Sequence, residues 1–168
     1  MKKQTKALAL SGILTAVSVV FVYIAALFPP ARISLLAVAG LIPAIAVIHH
    51  GLRWGLLIYA ATAVLSVLLV PVKGCAAVYV LLFGHYAVLK SLFERAPTHI
   101  LEWLMKLAMF NFLLTALVFG LQGMFLQMVS VGKMVYWAVY LVGNVAFVVY
   151  DIAFSMLVVT YNNRRKKK

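Results

Sequence analysis

The sequence predicts an all-α, polytopic membrane protein built as a bundle of six transmembrane helices. Three observations support this prediction: 66% of the 168 residues are hydrophobic, only 11% are charged, and the apolar residues fall into runs that match the thickness of a bilayer. Lipid offers no hydrogen-bond partner to the backbone, and the runs lack the alternating pattern of a membrane β-barrel. We therefore expect each run to be a helix.

Six apolar runs can be placed along the chain, and we expect them to form one integral membrane domain over residues 1–168. The first run follows a basic N-terminus and is longer than the core of a cleaved signal, so it is predicted to be a retained helix. The second and third runs are short, and Pro43 interrupts the second. The predicted spans are Ala7–Phe28, Ile33–Ile48, Trp54–Val70, Ala76–Phe93, Trp103–Met124 and Met134–Thr160, followed by a basic cytoplasmic tail at 161–168.

The basic residues are distributed unevenly between the two sides of the predicted membrane. With six crossings, one side receives twelve of the fifteen lysines and arginines and the other receives three. Such an excess marks the cytoplasmic side, so we expect a multi-pass protein of the plasma membrane with both termini in the cytoplasm. The cytoplasmic set is Lys2, Lys3, Lys6, Arg53, Lys90, Arg95, Lys106, Arg164, Arg165, Lys166, Lys167 and Lys168, and the outer set is Arg32, Lys73 and Lys133.

The positive charge also bears on partners. A formal net charge of +12 would suggest nucleic acid in a soluble protein. Here the basic residues lie at the ends of apolar runs, so we expect membrane lipid as their partner and no nucleic acid. Near the cytosol, Lys90 and Glu94 are spaced i,i+4, and we expect Lys90 to extend outward and pair with Glu94.

Three polar side chains are predicted to lie inside the membrane at a common depth. His85, Asn111 and Asp151 are each about eight or nine residues from the cytoplasmic end of their span, or roughly 12–14 Å at the rise of an α-helix. Polar groups in a membrane are costly, so this layer needs an explanation. It could lock the helices together by hydrogen bonds, relay protons or bind a cation, or supply an acid/base pair.

Catalysis is the weakest of these interpretations. No serine, thiol or third carboxylate stands at a spacing that would complete a nucleophilic or metal site with His85 and Asp151. The chain has a single cysteine, Cys75, so it lacks paired metal motifs and an internal disulfide. We therefore expect a protein that is not an enzyme, with no catalytic residue, no metal and no cofactor.

The outer half of the predicted bundle is rich in aromatic and amide side chains. Aromatic rings can stack on a small organic ligand while amides fix its orientation; the alternative is an ordinary aromatic belt at the membrane surface. Asn144 lies too deep for a belt residue and is the strongest candidate. The predicted ligand-binding residues are Arg32, Lys73, Tyr79, Gln122, Trp137, Tyr140 and Asn144.

The first predicted helix carries small residues one turn apart, with Ser11 near Thr15 and Gly12 near Ala16. Ala9 adds to this stripe. Small residues let another helix approach closely in a membrane. The stripe therefore indicates helix packing, either within the bundle or against another protein.

The size, the six spans, the cytoplasmic termini and the opening Lys-Lys-Gln-Thr-Lys-Ala-Leu-Ala-Leu-Ser-Gly-Ile-Leu-Thr-Ala together resemble a substrate-binding (S) subunit of an energy-coupling-factor transporter. The resemblance is architectural and covers nearly the whole chain. It implies capture of a vitamin or its precursor near the outer face. It also implies a first helix that docks a transmembrane coupling subunit, here through Ala9, Ser11, Gly12 and Ala16. ATP hydrolysis would belong to separate ATPase subunits, in keeping with the absence of a phosphate-binding glycine loop here.

The sequence thus predicts a membrane subunit that captures a small organic micronutrient for uptake. Arg32 and Lys73 in the predicted outer loops favour a ligand with an acidic group. The alternative is a non-catalytic membrane scaffold in cell-envelope assembly, which would need no pocket. A weaker alternative is an intramembrane enzyme that acts on lipid through His85 and Asp151.

Overall fold

The computed structural model describes residues 2–94, 97–121 and 136–166, and among these residues every regular element is helical. The prediction of an all-α membrane protein is confirmed. Within these described ranges, six helical stretches are long and apolar enough to cross a membrane by length and composition. They are Gln4–Leu27, Pro29–His50, Leu52–Leu69, Lys73–Phe93, His99–Gly120 and Trp137–Thr160.

Several stretches contain more than one element. The second membrane stretch begins with a 3₁₀ turn, and the fourth and fifth each include a π-helical segment, in which the backbone hydrogen bonds span five residues. The elements are α1 (Lys2–Leu27), a 3₁₀ turn (Pro29–Ala31), α2 (Arg32–His50), α3 (Leu52–Leu69), α4 (Lys73–Val78), the first π segment (Tyr79–Phe83), α5 (Tyr86–Phe93), α6 (His99–Thr115), the second π segment (Ala116–Gly120) and α7 (Tyr136–Lys166). The helices from α1 to α6 belong to one compact unit, Met1–Val131, and α7 belongs to a second, Gly132–Lys168.

The first three helices pack on one another in the first unit. Only Gly51 separates α2 from α3, and its φ of +92° lies in the region that residues with a Cβ rarely adopt. The glycine reverses the chain direction within one residue. Pro43 lies inside α2 without ending it, and α2 extends beyond both ends of the predicted second span.

The fourth membrane stretch packs against α2 at very short range. A Cβ on Gly40 would lie 2.7 Å from the Cβ of Phe83 and 2.8 Å from its carbonyl oxygen. Glycine is therefore required at position 40 for the first π segment to reach α2. This approach closes a core whose members come from four membrane stretches and the turn after α3. They include Val22, Ala25, Leu36, Ala39, Val70, Cys75, Tyr79 and Leu117.

Candidate functional site

The predicted docking residues on α1 fall on two different faces of the helix. Ser11 is buried, whereas Ala9, Gly12 and Ala16 are exposed. The three exposed residues are spaced three and four apart, so they form one continuous strip on the helix. A Cβ on Gly12 would have nothing within 4 Å. The outward strip is therefore open to another helix, and Ser11 belongs to the inward face.

The two described cations predicted for the outer loops each reach back to the end of the preceding membrane helix. The Arg32 guanidinium donates to the carbonyl of Ala26 at 3.4 Å, and the Lys73 ammonium donates to the carbonyl of Val67 at 2.6 Å. Carbonyls in the last turn of a helix lack partners within the helix and attract cations. Both side chains thus stabilise helix ends, and their role in ligand binding stays a prediction.

Tyr79 lies inside the core of the first unit and is fully buried. Its ring centroid is 6.5 Å from that of Tyr59. Gly84 is pressed against both rings, since a Cβ there would lie 2.7 Å from Tyr59 and 2.8 Å from Tyr79. The predicted ligand contact of Tyr79 would therefore have to be made within the core.

The remaining described ligand candidates lie on α7. Trp137, Tyr140 and Asn144 are spaced three and four apart, which puts them on one face of that helix. The Asn144 amide donates to the carbonyl of Tyr140 at 2.8 Å, one turn earlier. Gln122, which the sequence also nominated, lies outside the described residues. The three residues thus share one face of α7, and ligand binding by that face stays a prediction.

The three residues of the predicted polar layer make different local contacts. Asn111 donates to the carbonyl of Leu107 at 2.9 Å, and the Asp151 carbonyl accepts from the hydroxyl of Ser155 at 2.9 Å. Because α6 begins at His99 rather than at the predicted Trp103, Asn111 is roughly 18 Å along its helix, while His85 is about 12 Å from the end of α5. The common depth of the three residues and the proposed meeting of their side chains stay predictions.

His85 contacts a backbone group that the π segment makes available. The Val80 carbonyl lies 3.1 Å from the Tyr59 hydroxyl and 3.1 Å from the His85 Nδ1. A carbonyl only accepts, so Nδ1 carries a hydrogen and the Nε2 of the neutral ring is an acceptor. That Nε2 is buried and has no hydrogen-bond partner among the described residues. The core therefore offers one imidazole acceptor to a donor or a proton.

Two lysines, one on α5 and one on α6, are buried and paired with a glutamate one turn away, and sequence reasoning missed their burial. Lys106 is 1% exposed and pairs with Glu102 at 2.6 Å, and its ammonium lies 5.3 Å from the centre of the Trp103 ring. Lys90 pairs with Glu94 at 3.3 Å as predicted, but at 3% exposed it is buried instead of extending outward. Buried ions are costly unless they are paired. The i,i+4 spacing of each pair was visible in the sequence, whereas the packing that buries both lysines was not.

A shallow depression of about 380 Å³ lies where α1 and α3 begin, and it is lined by Gln4, Thr5, Leu8 and Trp54. It is at the end of the first unit that the charge pattern assigns to the cytoplasm. Trp54 and Leu8 supply apolar walls, and Gln4 and Thr5 supply polar ones. This lining suits a protein side chain better than a charged metabolite.

Across the described ranges, no three histidine, cysteine or acidic side chains come together in a way that could hold a metal ion. The chain matches no known family model, no curated protein and no solved structure. Its function is therefore argued from its own residues.

Proposed function

We propose that the protein is a membrane subunit that captures a small organic micronutrient for uptake and works with separate energising subunits. The observation that carries this proposal is the division of α1 into two faces. Its hydroxyl-bearing face is buried, and the strip formed by Ala9, Gly12 and Ala16 is exposed. A capture subunit without an ATPase site of its own needs such a surface for a transmembrane partner.

The first support is that the exposed strip suits a partner helix in the membrane. Side chains no larger than a methyl group let two helix backbones approach, and this packing drives association where lipid already surrounds the apolar residues. The depression lined by Leu8 and Trp54 lies near the start of α1 and adds to this surface. A coupling subunit could thus contact α1 along the strip and place a side chain in the depression.

The second support is the distribution of charge over the first unit. Lys6 and Arg53 lie where α1 and α3 begin, and Lys90 lies near the end of α5, whereas Arg32 and Lys73 lie at the opposite ends of these stretches. Under the positive-inside rule, this distribution favours an N-terminus on the cytoplasmic side of the plasma membrane. With six crossings, the C-terminal basic tail would lie on the same side. The strip and the depression would face energising subunits at the cytoplasm.

The ligand would be bound from the outer side. Its candidate contacts are the face of α7 formed by Trp137, Tyr140 and Asn144. Two rings and an amide on one helix face can stack on and orient a planar organic molecule. In the first unit, the positive charge of Arg32 and Lys73 in the predicted outer loops favours a ligand with a carboxylate or phosphate group.

Mass spectrometry of small molecules released from gently purified protein tests this proposal. We expect one metabolite to be enriched over a mock purification, and we expect Asn144→Leu to lose it. Asn111→Leu is the matched control because Asn111 makes the same bond to its own helix one turn back. Loss of the metabolite in both variants, or in neither, contradicts the assigned site. Absence of any enriched metabolite favours a membrane scaffold instead.

A further inference from the structure

His85 lies close to the middle of the fourth membrane stretch, where the regular α-helix is interrupted. α4 ends at Val78 and α5 begins at Tyr86, and between them lie the first π segment and two turn residues. At the rise of an α-helix, His85 is roughly 18 Å from Lys73 and roughly 12 Å from Phe93, which begin and end the stretch. Irregular segments of this kind in membrane helices are frequent at functional sites and can hold coupling ions near the middle of the bilayer.

The imidazole of His85 has one nitrogen bonded and one nitrogen without a partner. Its Nδ1 donates to the Val80 carbonyl at 3.1 Å, and the same carbonyl accepts from the Tyr59 hydroxyl at 3.1 Å. The Nε2 atom is buried and has no hydrogen-bond partner among the described residues. The ionisable residues closest to it on its own stretch, Tyr79 and Tyr86, are fully buried phenols. The neutral ring therefore presents an unused lone pair inside the bundle.

The helices α2 and α3, which pack against this part of the chain, bring no carboxylate toward the imidazole. The ionisable residues of α3 are Arg53 at its start and Tyr59, whose ring centroid is 5.9 Å from that of the imidazole. Those of α2 are Arg32, His49 and His50, at the two ends of the helix. Neither helix carries a negative charge at any position.

The carboxylates of α6 and of the residue that follows α5 are already paired. Glu102 bonds Lys106 and Glu94 bonds Lys90, each in an i,i+4 salt bridge. Glu94 is also nine residues beyond His85, which is about 13 Å along a helix. A proton on Nε2 would thus create a positive charge without a counter-charge, and its N–H would have no acceptor among the described residues.

We propose that the Nε2 of His85 is a proton-binding site and that this proton controls the contact between α3 and the fourth membrane stretch. The neutral imidazole and Tyr59 hold the contact through the Val80 carbonyl. When the Nε2 lone pair takes up a proton, the ring becomes a buried cation with an unsatisfied donor, which is costly in a membrane. The contact then opens so that the charged ring reaches polar surroundings. The site uses none of the residues assigned to the micronutrient, so it does not depend on the proposed function.

The direction of the pH dependence follows from the two states of the contact. An imidazole in an open or unfolded chain takes up a proton below about pH 6.5. The packed state resists that proton, so it binds fewer protons than the open state and loses stability as the pH falls. We expect the Tm of the full chain to fall by about 3–6 °C between about pH 6.5 and about pH 5.

Tm measured against pH in matched variants tests the proposal. His85→Asn keeps an N–H donor near the Nδ1 position and removes the nitrogen that binds the proton, so we expect it to lose most of the fall in Tm. His99→Asn is the control, because the His99 side chain is 98% exposed, and it should keep the fall of the wild type.

A triple variant, His49→Asn with His50→Asn and His99→Asn, leaves His85 as the only histidine of the chain. Its ¹⁵N spectrum at about pH 7.5 should show a hydrogen on Nδ1 and none on Nε2. On acidification, Nε2 should gain its hydrogen over the same pH range in which Tm falls. This variant reports on His85 through both measurements, so it decides the matter alone should His85→Asn not fold.

The opposite outcomes overturn the proposal. A hydrogen on Nε2 at about pH 7.5 contradicts the hydrogen bond from Nδ1 to Val80 on which the proposal rests. An Nε2 that remains without a hydrogen down to about pH 5 shows that the nitrogen is not a proton-binding site. Equal falls in Tm for the wild type and His85→Asn, or protonation of Nε2 without a change in Tm, show that the proton does not control the contact.

Discussion

Tyr59 and His85 both donate a hydrogen bond to the same backbone oxygen, although one precedes that oxygen's residue in the chain and the other follows it. The Tyr59 hydroxyl and the His85 Nδ1 both lie 3.1 Å from the carbonyl oxygen of Val80, and their rings meet edge to face with centroids 5.9 Å apart. The π segment that begins at Tyr79 shifts the backbone hydrogen bonds by one residue. Val80 thus becomes the acceptor that ties α3 to the fourth membrane stretch.

This shared acceptor predicts non-additive losses of stability. Tyr59→Phe or His85→Leu alone leaves the Val80 carbonyl with one donor, so each should cost about 1 kcal/mol. The double variant leaves that carbonyl unsatisfied and should exceed the sum of the single losses by about 1 kcal/mol. A double-mutant cycle on Tm, with His85→Asn as a control that can keep a donor near the Nδ1 position, measures the coupling. If the loss of the double variant equals the sum of the two single losses, Tyr59 and His85 do not share the Val80 carbonyl as an acceptor.

A second prediction concerns two glycines with opposite surroundings, Gly40 in close contact with Phe83 and Gly12 in open space. Gly40→Ala would force a methyl group against Phe83 and should destabilise the protein by about 1–3 kcal/mol. Gly12→Ala adds a methyl group in open space and should be neutral or stabilising by up to about 1 kcal/mol, since alanine is the better helix former. Thermal unfolding in detergent compares them. Equal effects would contradict the close approach of α2 and the first π segment.

Replacing a small residue of the outward strip of α1 with a large one tests whether a partner helix docks there. Gly12→Leu should block the approach of a partner helix, so we expect uptake in cells to be lost while ligand binding to the purified protein persists. Ala60→Leu is the matched control, because Ala60 is an exposed small residue on α3. Normal uptake by Gly12→Leu, or equal loss in the two variants, argues against docking at the strip.

The ion pair between Glu102 and Lys106 predicts that replacing the glutamate lowers stability more than replacing the lysine. The Lys106 side chain is 2% exposed, whereas that of Glu102 is 15% exposed and also lies 3.4 Å from His99. Glu102→Gln leaves the more deeply buried ammonium facing a neutral amide and should cost about 3 kcal/mol. Lys106→Met leaves a carboxylate that retains contact with water and with His99, and it should cost less. The order of the two Tm values checks the prediction, and the reverse order refutes it.

Membrane orientation is testable at the two ends of the first unit. In a Cys75→Ala background, Lys73→Cys should react with a membrane-impermeant maleimide added to intact cells, because it is exposed at the end assigned to the outside. Lys6→Cys, exposed near the start of α1, should react only after the cells are permeabilised. Labelling of Lys6→Cys in intact cells would invert the topology and move the proposed ligand site to the cytoplasm.

Much of the helical layout could be predicted from hydrophobic patterning. The differences between the predicted and the observed helix bounds have physical causes. The predicted second span stopped at Ile48 because charged and histidine residues end a hydropathy window, whereas α2 continues to His50. The start of α6 was set four residues late because His99 and Glu102 are polar, although they lie on a helix end where polar groups are tolerated. The π segments were not predicted, since a π turn has no distinctive composition.

The membrane class, the all-helical fold and the number of spans were determined by the sequence itself, because the length and apolarity of each run decide them. Only the tertiary structure decided which face of α1 is covered and that the Lys90 and Lys106 side chains are buried. The reason is geometric. Spacing along a helix determines which side chains share a face, but the neighbouring helices determine which face is buried.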